Sequence, residues 1–203
     1  MKKLMFLTIA AACTFNPVGS ASAVTLIGTN SIGSVTVTSG LASLALGDVL
    51  TNAGTFLGGS QSGNFLGPVA PGTAITGESP LTATSGSAYS WTSVYGSFSG
   101  AVNGAPILTV NNALSRTLSA YVLGTFTPAG ALSAFAPGAM SETISYTETD
   151  TPQPGGGLLS SFSFSATIAS PPAPPPQQTP EPVSLSLLAV GALGLGAVRR
   201  RRV

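Results

Sequence analysis

From Ser161 to Ile168 the chain alternates hydroxyl and apolar side chains without a break. Phe162, Phe164, Ala166 and Ile168 fall on one parity, and Ser161, Ser163, Ser165 and Thr167 on the other. Successive strand residues point to opposite faces, so this period predicts a strand with one face in a core. Leu118, Ala120, Val122, Gly124 and Phe126 form a second such row. Opposite them stand Ser119, Tyr121, Leu123 and Thr125, a mixture that suits a strand covered on both faces. Ser34 to Thr38 also alternates, and Ser87 to Phe98, Pro106 to Val110 and Glu142 to Thr147 supply further strand candidates. Asn103-Gly104 reads as a hairpin turn between the Phe98 and Ile107 segments, because both residues tolerate positive φ. Leu41 to Leu50 is the one candidate helix, and Gly54 to Gly67 reads as a flexible loop. The expectation is an all-β domain over residues 24–170, an antiparallel β-sandwich or jelly roll. A domain of that length buries about two thirds of its unfolded surface.

Charge is scarce, 6% of the 203 residues against a usual share of about 25%. Both ends are basic, with Lys2 and Lys3 at one and Arg199, Arg200, Arg201 and Arg202 at the other. Between Val24 and Thr179 only Arg116 is basic, against Asp48, Glu78, Glu142, Glu148 and Asp150, a formal −4. That balance argues against nucleic-acid binding, which needs a basic surface. Ser and Thr, rather than Lys and Glu, make the exposed strand faces polar, so the module is expected to be weakly acidic. Sheet edges without lysine gatekeepers invite association with other chains.

Residues 1–23 have the three parts of a secretory signal: Lys2 and Lys3, an apolar run from Leu4 to Phe15, and Ala21-Ser22-Ala23 before the expected cut. As a helix, twelve apolar residues reach about 18 Å, short of the roughly 30 Å of a bilayer core, which favours a cleaved signal over an anchor. Cys13, after Ala10-Ala11-Ala12, is a competing lipidation site. At the other end, residues 171–179 form a Pro-rich linker, a stiff polyproline II spacer. Pro180, Glu181 and Pro182 follow, then an apolar stretch over 183–198 and an Arg tail over 199–203. The stretch is expected to be a single transmembrane helix of about 24 Å, accommodated by snorkelling flanks. Its arginines place the tail in the cytoplasm and everything before it outside. Ala192 and Gly196 make a small-xxx-small face at which a second membrane helix can approach, or equally a thin helix with no partner.

Pro180-Glu181-Pro182, the Leu/Gly/Ala-rich segment and Arg199 to Arg202 together resemble the PEP-CTERM sorting signal of Gram-negative bacteria. The resemblance covers residues 180–203 and rests on three elements in order. It implies recognition by an exosortase, a membrane-embedded enzyme thought to cut near the Pro-Glu-Pro motif. The implied life history is an inner-membrane-anchored precursor, then a protein of the envelope or extracellular matrix. Exopolysaccharide of a biofilm is the implied surrounding and a candidate partner.

The chain has no His, and its one cysteine, Cys13, leaves with the signal, so Ser-His-Asp and Cys-His chemistry is excluded. Among acids, Glu142 and Glu148 share a strand parity but stand about 20 Å apart. Glu148 and Asp150 fall about 7 Å apart, within the range of a glycosidase pair, at a strand end where acids are ordinarily solvated. Alternating oxygens there are also of the type that binds calcium. No catalytic residue, metal ligand or cofactor is assigned, and the expectation is a non-enzymatic protein. Tyr89, Trp91 and Tyr95 share one parity of the Ser87 to Phe98 segment. They are either core or an exposed platform for sugar rings, and the exposure of Trp91 separates the two.

Overall fold

A computed structural model describes residues 24–112 and 114–175. The signal segment, the sorting motif, the apolar stretch and the Arg tail lie outside the described residues. Among the described residues no helix is long and apolar enough to cross a membrane.

Among the described residues thirteen strands follow one another: β1 (Val24–Thr25), β2 (Gly28–Gly33), β3 (Thr36–Ser39), β4 (Val49–Ala53), β5 (Phe56–Gln61), β6 (Leu81–Thr82), β7 (Ala88–Ser93), β8 (Gly96–Val102), β9 (Ile107–Asn112), β10 (Ser115–Pro128), β11 (Phe135–Ala136), β12 (Gly138–Pro152) and β13 (Leu158–Ser170). The described residues make an all-β fold. Eight strands make the main antiparallel sheet in the order β5-β2-β13-β12-β10-β8-β7, with β9 also on β10. This sheet curls until its two ends are joined through residues 73–79. Leu57 N donates to Thr73 O and Ile75 N to Thr55 O on one side, while Thr76 and Thr92 exchange backbone bonds of 2.7 and 2.9 Å on the other. A three-stranded sheet, β3-β4-β6, contributes Leu50 and Leu81 to the same core.

The alternation of 161–168 is realised as read: Phe164, Ala166 and Ile168 are buried, Phe162 packs against the core, and the hydroxyl residues face out. In β10, Leu118, Ala120, Val122 and Phe126 line the core. Its outer side is covered only in part: Tyr121 is buried and donates a short hydrogen bond to Ala173 O, while Leu123 stays exposed. Glycines let β8 and β10 approach closely. A Cβ on Gly124 would lie 2.3 Å from Ser99 O, and one on its partner Gly100 would lie 2.6 Å from Leu123 O.

Several local expectations are corrected. Leu41 to Leu50 is not a helix but a bent segment running into β4. Asp48 decides this by taking Gly40 N and Val49 N on one oxygen and Ser39 Oγ on the other. Gly104 does turn with positive φ, yet β8 and β9 form no hairpin. They lie one after the other along β10, β9 on Ser115 to Ser119 and β8 on Val122 to Pro128. Gly54 to Gly67 is no loose loop: it contains β5 and a short 3-10 turn, anchored by buried Leu57 and Phe65. Ser87 to Phe98 is two strands, β7 and β8, with Val94 and Tyr95 at the turn between them.

Candidate functional site

The long strand β12 sends Met140, Glu142, Ile144, Tyr146, Glu148 and Asp150 to its buried side. Three acids therefore enter the interior on a strict period of two, held there by the apolar residues between them. The expectation that Glu148 and Asp150 are solvated is overturned, because β12 does not end at Thr147 but pairs with β13 out to Pro152. Asp48 is also buried and Glu78 is half-buried, so the acids are packed in the interior rather than spread over the surface.

Each acid has its own partners. Glu142 is fully buried, and the indole Nε1 of Trp91 donates to its Oε2 at 2.8 Å. Among the described residues its Oε1 has no hydrogen-bond partner. Burial pushes this carboxyl up to about 8, the Glu78 charge adds to the rise, and the Trp91 bond opposes it. At neutral pH Glu142 is therefore mostly a neutral acid.

Glu78 accepts three hydrogen bonds. Asn52 Nδ2 donates to Oε1 at 2.7 Å, Tyr89 OH to the same oxygen at 2.8 Å and Thr55 Oγ1 to Oε2 at 2.5 Å. Asn52 Nδ2 also donates to Tyr146 OH at 3.0 Å, which ties the three-stranded sheet to β12. Burial, with the neighbouring acids Glu142 and Glu78, holds the Tyr89 and Tyr146 hydroxyls far above the ordinary phenol range. Both therefore stay protonated. At the far end of β12, Glu148 Oε2 accepts from Leu44 N at 2.9 Å and pairs with Arg116 Nε at 3.3 Å. Asp150 Oδ1 takes the hydroxyl of Ser160 at 2.6 Å.

Glu142 and Glu78 both lie close enough to the Tyr89 and Tyr146 hydroxyls to act on them, so two carboxyls converge on one part of the interior. Room for a substrate is another matter. Trp91 and Asn30 share a void of about 10 Å3, the space of a single water, against several hundred Å3 for a small-molecule site. A cleft of about 130 Å3 opens at the corner between β8 and β9, beside Tyr121 and Pro175, and among the described residues its lining holds no carboxyl or cationic side chain. Among the described residues no three His, Cys, Asp or Glu side chains are placed to hold a metal ion.

The aromatic platform is corrected. Tyr89 is 2% and Trp91 1% exposed, with the Trp91 ring centroid 5.8 Å from that of Phe98 and 6.0 Å from that of Phe126. Both side chains point inward from β7, where the rings fill the curl of the sheet. Tyr95 sits in the turn, partly buried, and its hydroxyl accepts from Ala70 N at 3.0 Å. The three side chains therefore present no common surface. Reasoning from sequence missed Glu78, Asn52 and Thr55 as a cluster and Trp91 as a donor. The one local signal was that Glu142 shares the parity of Ile144 and Tyr146.

Comparison of the chain with protein-family models, with curated proteins and with solved structures finds no match.

Proposed function

We propose that this chain is an exported, non-enzymatic protein of the cell envelope or extracellular matrix, sorted by an exosortase through its Pro180-Glu181-Pro182 motif. The reading rests on the order of three elements, the motif, the apolar stretch 183–198 and Arg199 to Arg202, combined with a signal-like segment over 1–23. Two features of the folded part favour it. β13 ends at Ser170, so the folded sheet closes just before the linker and leaves the motif separate from it in sequence. The outer face is polar through hydroxyls, as in the row Ser163, Thr147, Thr117 and Thr109 across four neighbouring strands. Such a face hydrates well and carries no charge, a surface compatible with a neutral polysaccharide surrounding. In architecture we take the curled sheet and the three-stranded sheet as the layers of a β-sandwich, with a signal helix before it and one membrane helix after it.

The test is replacement of Pro180, Glu181 and Pro182 by alanine in the native host. An uncut, membrane-bound form should accumulate while the parent chain is processed. Normal processing of the variant would remove the sorting reading.

A further inference from the structure

In the main sheet, β5 and β7 are both covered by the 73–79 segment, but among the described residues nothing pairs with the outer edge of β9. We propose that this edge is a self-association surface, at which β9 of one copy pairs antiparallel with β9 of a second copy and joins the two main sheets. The inference is independent of the sorting reading.

Four observations carry it. First, an edge strand of six residues leaves about three N–H and three C=O groups directed away from its one partner, a template for another strand. Second, Ile107-Leu-Thr-Val-Asn-Asn112 contains no Lys, Glu or Pro, the residues that ordinarily block such an edge. Third, Thr109 and Val110 at its centre are exposed, Val110 at 65%, and Leu114 just beyond the strand is exposed as well. Fourth, the one cation nearby does not oppose the meeting. Arg116 lies opposite Val110 on β10 and is paired with Glu148. Across a β10-β9-β9-β10 junction the two Arg116 strands stand about 14 Å apart at about 4.8 Å per strand, beyond the roughly 8 Å screening length of physiological salt.

A second copy is the occupant that fits, because a strand without charge is its own complement. Antiparallel pairing about a two-fold axis sets one residue against itself, Thr109 or Val110 at the largest overlap, in which five of the six residues of each strand pair. With Thr109 at the axis, the hydroxyl row Ser163, Thr147, Thr117, Thr109 runs on into the second copy; Thr117 Oγ1 and Thr147 Oγ1 already lie 3.3 Å apart. The strand is about 20 Å long at 3.4 Å per residue, so the contact buries a few hundred Å2 per copy, below the roughly 800 Å2 of a standard stable interface. Association is therefore concentration-dependent, favoured where copies are crowded at a membrane or in a matrix.

Disulfide trapping in the full chain tests this. In a Cys13→Ser background, Thr109→Cys and Val110→Cys are introduced singly, with Val35→Cys, exposed in the bend between β2 and β3, as control. Opposed residues of an antiparallel pair have Cα atoms about 4.5 to 5.5 Å apart, within disulfide reach. Mild oxidation should yield a covalent dimer from position 109 or 110, about tenfold above the Val35→Cys control, and adding Val110→Lys to Thr109→Cys should abolish it. Buried Trp91 emission, unchanged in each variant, verifies that the fold is kept. Dimer at equal yield from Val35→Cys, no dimer from either β9 position, or adducts with a different chain only would overturn the proposal.

Discussion

Replacing Glu142 by glutamine should remove the pH dependence that this buried acid imposes on folding. Its carboxyl moves from an ordinary 4.5 to about 8 in the folded protein. Below pH 4.5 both states hold the proton and Glu142 exerts no effect. Between 4.5 and about 8 the unfolded chain releases a proton that the folded chain keeps, so stability falls as pH rises. Above about 8 both states are ionised and the loss is complete. At about 1.4 kcal/mol per pH unit, the loss across that window reaches about 4 to 5 kcal/mol, comparable to the whole stability of a marginal domain. Glutamine keeps an oxygen to accept the Trp91 indole N–H but has no proton to lose. The assay is urea unfolding of parent and Glu142→Gln at about pH 5, 7 and 9, followed by the fluorescence of Trp91, the only tryptophan in the chain. The stability difference between the two proteins should swing by about 4 kcal/mol in favour of the variant from pH 5 to pH 9. Parallel stability-pH curves would show that Glu142 ionises freely in the folded state and would refute the argument.

Two further substitutions probe other polar links. Arg116→Ala leaves the fully buried Glu148 with Leu44 N as its remaining donor; stability should drop by about 2 to 4 kcal/mol in chemical denaturation, and adding Glu148→Leu should recover part of it. Tyr121→Phe deletes the hydroxyl that holds Ala173 O, leaving Ser141 Oγ as acceptor of Ala173 N. Global stability should fall by about 1 kcal/mol, while exchange of the Ala173 amide, the one N–H among residues 171–175, should rise by about tenfold, read by hydrogen exchange.

Much of the fold was legible because its signal is local. The parity of 161–168 stated which side of β13 faces the core, and the hydroxyl-for-charge substitution stated what its other side looks like. Errors arose where a non-local partner overrode a local preference. Asn103-Gly104 makes a turn, but the length of β10 lets two strands dock in series on one neighbour instead of against each other. Leu41 to Leu50 has helical residues, yet the Asp48 carboxylate satisfies the backbone of a bend. Tyr89 and Trp91 had the parity of a platform as well as of a core, and only the curling of the sheet around them made it a core.

The sequence by itself determined an all-β chain with outward hydroxyls and inward aliphatic rows, since side-chain alternation is a property of each strand alone. The placement of the acids belonged to the tertiary structure. A glutamate at an inward parity is tolerated only if something distant supplies its hydrogen bond or leaves it protonated. For Glu142 that donor is Trp91, 51 residues away, and for Glu148 it is Leu44 N, 104 residues away. No window of sequence contains both ends of such a bond, so a chain that reads as a weakly acidic surface folds with its acids largely inside.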